Sequence, residues 1–255
     1  MVILPNYETC ALRPKGDGFL SAAGPFVIEI CGTVLAGYQC FYRTASYQDG
    51  LFSGYGIVFP PQLTNAVAKR RGDYLAGRFC AQRVLEQLGF GAVPHQVGIG
   101  PSREPVWPPG VVGSFSHSGD RAVCIATTEP EVIGVGIDLE KEIPDEIVQE
   151  IRHQIIDATE DSVLRSQFPS YNRALTIAFS GKETIYKAMY PQVRRFFDFS
   201  AVKVVGATAT HILFFVAEGL SDRFPAGSRI TVQHGMARGE IVTVACLSCT
   251  DPFGS

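Results

Sequence analysis

The sequence predicts an α+β fold in two halves, residues 1–130 and 131–255. Three observations lead to this prediction. Short apolar runs typical of strands fill the beginning and the middle of the chain, two long stretches have helical periodicity, and the C-terminal tail alternates as antiparallel strands do. Glu129 and Pro130 mark the predicted boundary between the halves, because they interrupt two consecutive strand-like runs.

The first half is predicted to contain four strands and one long helix. The helix runs from about Pro61 to Leu88, since Thr64 or Asn65 can cap its start and Gly89 can end it. The strands are the apolar runs Phe26–Ile30, Thr33–Ala36, Val111–Ser116 and Ala122–Thr127.

The second half is predicted to start with the strand Val132–Glu140 and to end in several antiparallel strands over residues 202–247. Two helices lie between them. The first begins near Pro144, where a proline in the first turn costs nothing. The second covers Tyr171–Met189 and is stopped by Pro191.

Composition excludes several classes of protein. The 255 residues are 46% hydrophobic, which is too apolar for a disordered chain. No segment approaches the roughly 20 apolar residues of a transmembrane helix, and the start of the chain lacks the features of a secretory signal. A formal net charge of −3 disfavours general nucleic-acid binding. We therefore expect a cytoplasmic protein with no nucleic-acid and no membrane partner.

A C-x-x-C motif at Cys246 and Cys249 suggests a zinc or redox site. A structural zinc ion needs four ligands, and the sequence contains no second such pair. The motif also overlaps an alternating run, and a strand would send the two sulfurs to opposite faces. A structural role for both cysteines is the favoured interpretation.

Asp138 and Glu140 are the strongest candidates for metal ligands. They lie two residues apart in a predicted strand, so both carboxylates point to one face. Mg²⁺ commonly takes one or two protein carboxylates together with water and substrate phosphate. An exposed acidic strand end is the alternative. Gly134 and Gly136 do not form a dinucleotide fingerprint, because Leu139 stands where the third glycine is required.

A second cluster lies in the last predicted helix. Glu183 and Lys187 are four residues apart and face the same way, with Lys182 at the flank. An acid between two bases suits a metal ion together with phosphate oxygens. The alternative is an ordinary surface ion pair, worth roughly 0.2–0.5 kcal/mol.

Two features of the first half suggest contact with a small polyanion. Arg70 and Arg78 lie two turns apart in a basic cluster of the predicted helix, although a solvated helix face explains the cluster as well. His117 follows a strand within Gly113–Ser118, whose residue order does not fit the hydrolase elbow G-x-S-x-G. This histidine is either a phosphate contact or a structural residue.

In combination, these segments resemble the signatures of the 4′-phosphopantetheinyl transferases. Gly136–Lys141 is similar to the motif G-[VI]-D-x-E, and Phe179–Lys187 is similar to [FW]-S-x-K-E-x-x-x-K. Upstream, Pro105–Ser118 resembles W-P-x-G-x-x-G-S-[IL]-[ST]-H. Lys69–Arg78 resembles the K-R-R-x-E-[FY] helix of the enterobactin-synthesis subgroup. The four blocks occur in the order that the family shows.

The resemblance implies a fold and a reaction. Proteins of the surfactin/enterobactin type have two similar α+β halves related by a pseudo-two-fold, with the active site between them. A short internal echo, Leu75–Arg78 against Phe179–Lys182, agrees with such halves. The reaction is the Mg²⁺-dependent transfer of 4′-phosphopantetheine from coenzyme A to a serine of acyl or peptidyl carrier proteins, with release of 3′,5′-ADP. A chain that holds both halves is expected to act as a monomer.

The resemblance also implies residue roles. Asp138, Glu140 and Glu183 would hold Mg²⁺, and Glu183 would take the serine proton, directly or through a metal-bound water. Lys187 would contact the pyrophosphate, with Lys182 assisting. The other expected coenzyme A contacts are Arg70, Arg78, Arg103, Pro105, Ser116 and His117. Of these, Arg70, Arg78 and His117 would hold the 3′-phosphate, and Arg103 would lie near the adenine.

The carrier protein would dock on the helix that follows the Asp138 strand. The expected docking residues are Ile143, Ile147, Ile151, Arg152, Arg194 and Arg195, which combine apolar surface with positive charge. For Ile147 and Ile151, a place in the core is the favoured interpretation.

Two other functions stay open from the sequence. A magnesium phosphodiesterase or nucleotide hydrolase would use the same acidic residues and release its product with water alone. A non-catalytic module that binds carrier proteins would keep the fold without the transfer. An assay with coenzyme A, Mg²⁺ and an apo carrier protein distinguishes the three.

Overall fold

A computed structural model of the protein describes residue 4 and residues 16–91 and 96–249. Helices and antiparallel sheets alternate along this part of the chain, so the predicted α+β class is confirmed. Among the described helices, none combines the length and the apolar character needed to cross a membrane.

The chain divides into two compact units. One falls within Pro5–Glu29 and Thr33–Thr128. The other comprises residues 129–249 of the described part of the chain, together with Leu4 and Ile30–Gly32.

The N-terminal unit lays one long helix on a four-stranded sheet of order β1-β2-β6-β5. Its elements are β1 (Leu20–Ile30), β2 (Thr33–Tyr42), α1 (Leu51–Gly54), α2 (Ala68–Gln87), β3 (Gly98–Ile99), β4 (Pro105–Val106), β5 (Val112–Ser118) and β6 (Arg121–Thr127). Helix α2 packs on β2 and β6, and β3 pairs with β4 as a separate small hairpin. Strand β6 is buried along its whole length, which explains the run of small and apolar residues over 122–126.

The predicted helix of this unit starts later than expected. A 3₁₀ turn occupies Pro61–Leu63, and α2 begins only after Val67, whose backbone is extended. The hydroxyl of Thr64 donates to the carbonyl of Pro61 instead of capping the helix. The predicted end is confirmed, because Gly89 follows the helix with a φ of 85° that glycine adopts readily.

The C-terminal unit combines three helices with a five-stranded antiparallel sheet of order β7-β11-β10-β9-β8. Its elements are β7 (Val132–Lys141), α3 (Asp145–Ile155), α4 (Ala158–Gln167), α5 (Tyr171–Val193), β8 (Val202–Ala207), β9 (His211–Val216), β10 (Arg229–Ala237) and β11 (Glu240–Ser248). Helix α5 packs mainly against β7 and β11. Cys246 is buried in β11 and Cys249 lies exposed just beyond it, in agreement with the structural interpretation of the C-x-x-C motif.

Two features of this unit differ from the sequence-based expectation. Helix α4 was not predicted, although Asp157 and Glu160 form a complete capping box at its start. Pro191 does not stop α5, which continues to Val193. A proline so near a helix end withdraws only one backbone hydrogen bond, and α5 ends instead where Arg194 adopts a left-handed φ of 52°.

Candidate active site

Two glycines let α5 rest directly on the backbone of β7. A Cβ atom on Gly134 would lie 1.9 Å from the carbonyl oxygen of Ala188, and one on Gly136 would lie 2.0 Å from that of Thr184. Two residues of a strand advance about 6.7 Å, close to the 6 Å that four residues of a helix advance. Gly134 faces Ala188 and Gly136 faces Thr184, so the next pair along the two elements is Asp138 and Ser180.

Asp138 is held by both elements. Its side chain is 4% exposed, and the hydroxyl of Ser180 donates to Oδ2 at 2.9 Å. Lys187 lies on the same helix, seven residues after Ser180. Its ammonium is 2.6 Å from Asp138 Oδ1 and also donates to the carbonyl of Ile137 at 3.1 Å. The Asp138 carboxylate is therefore fixed between α5 and β7.

The carboxylates of Glu140 and Glu183 share this environment. Burial raises the pKa of Glu140 to about 7, and the negative charges of Asp138, Glu183 and Glu240 oppose the lowering effect of Lys187. Burial also raises the pKa of Glu183, against the attraction of Lys187, and the charge of Asp138 adds to this rise. The cluster thus holds three carboxyl groups and one ammonium group, that of Lys187.

The donor set suits a hard divalent cation. Within the described residues, no three or more His, Cys, Asp or Glu side chains approach closely enough to form a ready-made ligand group. Mg²⁺ often needs only one or two protein carboxylates and keeps several waters. Carboxylates whose pKa is raised by burial and by neighbouring negative charge would be stabilised by such an ion. The predicted ligands Asp138, Glu140 and Glu183 therefore fit an open magnesium site in their chemistry.

Lys182 does not contribute to this cluster. Its side chain is buried, and its Nζ lies 2.7 Å from Oε1 of Glu160 while donating to the carbonyls of Ile155 and Phe199. This placement contradicts the predicted contact of Lys182 with a pyrophosphate. Lys182 and Glu183 are neighbours in the chain, but consecutive helical residues point about 100° apart.

The basic cluster of α2 is partly neutralised. Lys69 Nζ lies 3.0 Å from Oδ1 of Asp73, and Arg71 Nη1 lies 2.9 Å from Oδ2 of Asp49. Arg70 is exposed and has no ion pair among the described residues. Of Lys69, Arg70, Arg71 and Arg78, the arginines Arg70 and Arg78 therefore have no carboxylate partner within the described residues.

Arg78 is a buried cation held between two rings. Its guanidinium carbon lies 4.5 Å from the ring centre of Tyr74 and 4.6 Å from that of Phe115. Its Nη2 donates to the carbonyl of Gly98 at 3.0 Å, and burial lowers its pKa. Within the described part of the chain its Nε has no hydrogen-bond partner. A rigid guanidinium that has no carboxylate partner there suits an incoming phosphate.

The other residues predicted to bind coenzyme A occupy two places. His117 is partly exposed on β5, with Nδ1 4.0 Å from Oδ2 of Asp73. Ser116 is buried, and strand alternation turns its side chain away from the face of His117. Arg103 is exposed in the turn between β3 and β4, and Pro105 pairs with Ile99 in that hairpin.

The predicted docking residues differ in exposure. Ile143 is buried, with its backbone N–H donated to Thr176 Oγ1, and Ile151 is half-buried against the core. Ile147 is 41% exposed, so its predicted place in the core is wrong. Arg152 Nη1 lies 3.6 Å from Asp161 Oδ1, so its charge is partly neutralised. Arg194 and Arg195 are exposed after α5.

Comparison with protein-family models gives two matches in sequence order. Residues 59–127 match the 4′-phosphopantetheinyl transferase N-terminal domain, and residues 134–244 match the 4′-phosphopantetheinyl transferase superfamily. Together the two matches cover more than half of the 255 residues. The chain belongs to the 4′-phosphopantetheinyl transferase superfamily.

Individual members of the superfamily align over parts of the chain. Enterobactin synthase component D of Salmonella typhimurium is 37% identical over 151 residues, which are 59% of this chain and 61% of the relative. The protein of the same name from Escherichia coli K12 is 38% identical over 127 residues, or 50% and 58%. The 4′-phosphopantetheinyl transferase PptT of Mycobacterium tuberculosis is 27% identical over 197 residues, or 73% and 83%. The chain thus spans about three-fifths of the enterobactin synthase component D relatives.

Several residues that build this superfamily member's acidic cluster were missed in the sequence. Thr184 and Thr243 lie behind Ser180, and Gly134 and Gly136 admit the helix. A signal for the two glycines and for Thr184 was present. The strand spacing of two residues in Gly-x-Gly-x-Asp matches a helical spacing of four in Ser-x-x-x-Thr-x-x-x-Ala. Thr243 belongs to a distant strand and has no place in this pattern.

Proposed function

We propose that this protein transfers 4′-phosphopantetheine from coenzyme A to a serine hydroxyl of an acyl or peptidyl carrier protein and releases 3′,5′-ADP. The main observation that supports this proposal is the cluster of Asp138, Glu140, Glu183 and Lys187 where α5 packs on β7. These residues lie within the segment that matches the superfamily. In the transfer, the serine oxygen forms a bond to the β-phosphorus. The bond from this phosphorus to the bridging oxygen breaks, and 3′,5′-ADP leaves with the electron pair.

Glu183 is the proposed acceptor of the serine proton. A general base works best when its pKa lies near the working pH, and burial raises the pKa of Glu183 towards that range. The Lys187 ammonium is the proposed pyrophosphate contact, because it stands half-buried at the same cluster. When bound by Asp138, Glu140 and Glu183, Mg²⁺ would supply positive charge against the pyrophosphate oxygens.

Arg78, Arg70 and His117 are the proposed contacts of the 3′-phosphate of coenzyme A. The two rings that hold Arg78 restrict its guanidinium before any ligand arrives, so little side-chain entropy is lost on binding. Binding energy at this remote phosphate helps to position the reacting phosphorus. Arg103 stays a proposed contact near the adenine.

The carrier protein is the proposed macromolecular partner. Ile147 offers exposed apolar surface on α3, and Arg194 and Arg195 offer exposed positive charge. Such a pairing favours a partner that presents an acidic helix with apolar residues. The protein is proposed to act as a monomer.

The test is incubation with coenzyme A, Mg²⁺ and an apo carrier protein, followed by mass spectrometry of the carrier. The expected result is a gain of one phosphopantetheine group, lost in Asp138→Ala and retained in the matched control Asp120→Ala, which changes an exposed turn residue. Release of 3′,5′-ADP without that gain would assign a hydrolase. Carrier binding without any turnover would assign a binding module.

A further inference from the structure

A chain of three buried hydroxyls ends on the carboxylate of Asp138. Ser180 Oγ lies 2.9 Å from Asp138 Oδ2 and 2.8 Å from Thr243 Oγ1, and Thr243 Oγ1 lies 2.6 Å from Thr184 Oγ1. All three hydroxyl-bearing side chains are fully buried. The proposed reaction assigns no role to any of them.

The hydrogen-bond donors fix the direction of this chain. Each hydroxyl has a single proton, and Ser180 donates its own to Asp138. Thr243 must then donate to Ser180. Thr184 has two acceptors on Thr243, Oγ1 at 2.6 Å and the carbonyl oxygen at 3.3 Å, and donation to the nearer Oγ1 completes the chain. The three dipoles point the same way, towards Oδ2, and successive hydrogen bonds of this kind strengthen one another.

Three elements have to be in register for the chain to exist. Thr243 lies directly opposite Asp138 in the antiparallel pairing of β11 with β7. Ser180 and Thr184 are one turn apart on α5, which approaches β7 through Gly136. Three buried hydroxyls cost free energy unless they are hydrogen-bonded, and apolar residues of similar size would fill the same space without that requirement.

We propose that Ser180, Thr243 and Thr184 are positioning residues of the transferase. This proposal rests on the proposed function. The hydroxyl chain holds Oδ2 of Asp138, so the carboxylate presents Oδ1 in one orientation to Lys187 and to a divalent ion. The hydroxyls touch neither substrate nor metal and act only through Asp138.

Thr243→Val tests this proposal, because valine keeps the shape and removes the hydroxyl. Ser180→Ala is a second variant, and Thr243→Ser restores the hydroxyl. The control is Thr176→Val, since Thr176 is a fully buried residue of α5 whose hydroxyl bonds, among the described residues, to the backbone of Ile143 and Asn172. Two experiments are made on each variant. The first measures kcat and KM for coenzyme A in carrier modification. The second titrates Mn²⁺ in the presence of coenzyme A and measures the Mn²⁺ concentration at which the unfolding temperature has risen by half of its full increase.

For Thr243→Val and Ser180→Ala we expect kcat to fall about tenfold and the half-saturating Mn²⁺ concentration to rise about tenfold, as for other residues that orient a metal ligand. KM for coenzyme A should change less than about twofold. Thr243→Ser should behave as the wild type, and Thr176→Val should change only the unfolding temperature.

Unchanged kcat and Mn²⁺ dependence in Thr243→Val, with a loss of stability like that of Thr176→Val, would overturn the proposal and leave a packing role. The proposal also falls if Mn²⁺ does not stabilise the wild type. A wild type that binds Mn²⁺ with the expected dependence on Thr243 but transfers nothing would refute the proposed function and leave the positioning role standing.

Discussion

Lys182 and Glu160 form an ion pair with a separation of 2.7 Å and side-chain exposures of 0% and 1%. The three protons of the Lys182 ammonium are all used, since the carbonyls of Ile155 and Phe199 accept the other two. The second carboxylate oxygen of Glu160 accepts the N–H of Asp157 at the start of α4. Lys182 therefore ties α5 to the helices and the turn that cover it.

Replacing Lys182 by methionine should destabilise the protein. The change leaves the Glu160 carboxylate buried, with Lys203 at 3.8 Å as its remaining cationic neighbour. We expect the free energy of unfolding to fall by about 3–5 kcal/mol in urea titrations, because an uncompensated buried charge is costly. Lys141→Met, at an exposed strand end, is the control. If Lys182→Met keeps its stability but loses transfer, the result would contradict a purely structural role and support a contact of Lys182 with substrate.

Gly136→Ala should disrupt the contact between α5 and β7. The added methyl group would meet backbone, which has no rotamer to escape into, at 2.0 Å from the Thr184 carbonyl oxygen. We expect a loss of about 3 kcal/mol or more in unfolding free energy, measured by circular dichroism during chemical denaturation. In the matched strand variant Gly206→Ala the new Cβ meets no atom within 4 Å, and stability should change little. Equal stability of the two variants would contradict the close contact between α5 and β7 at Gly136.

The fold class and the strand spacing of Asp138 and Glu140 could be predicted from the sequence, but the position of Lys182 could not. Strands such as β7 were predictable because their apolar runs are local, and the spacing of Asp138 and Glu140 follows from strand geometry alone. The burial of Lys182 depends on α4, a separate helix whose position no local pattern contains. For the same reason the place of Thr243 between Thr184 and Ser180 was not predictable, since β11 is distant in sequence from both β7 and α5.

Glu140→Gln should stabilise the metal-free protein at high pH. The pKa of Glu140 is about 7 in the folded protein against an ordinary value of 4.5, so the folded state binds more protons between these two values. Stability from this group is complete below about pH 4.5 and is lost as the pH rises to about 7. Glutamine stays neutral, and because Glu140 is partly solvated we expect a gain of roughly 1–2 kcal/mol at pH 8.

The measurement for Glu140→Gln is thermal unfolding with a chelator present, at pH 4 and at pH 8. The variant should match the wild type at pH 4 and exceed it at pH 8. Glu29→Gln, an exposed glutamate of β1, should show no such dependence. A gain of equal size at both pH values would mean that the stabilisation does not come from the charge of Glu140.

Arg78→Gln should weaken binding of coenzyme A and leave binding of 3′-dephospho-coenzyme A nearly unchanged. The guanidinium between Tyr74 and Phe115 is the rigid cation proposed for the 3′-phosphate, and a charged hydrogen bond of this kind is worth about 1.5–3 kcal/mol. Isothermal titration calorimetry should therefore show a loss of about 10-fold to 100-fold for coenzyme A alone. Arg83→Gln on the same helix removes a cation that is paired with Glu86, and it should affect neither ligand. If Arg78→Gln weakens both ligands equally, Arg78 supports the fold of the N-terminal unit and does not contact the 3′-phosphate.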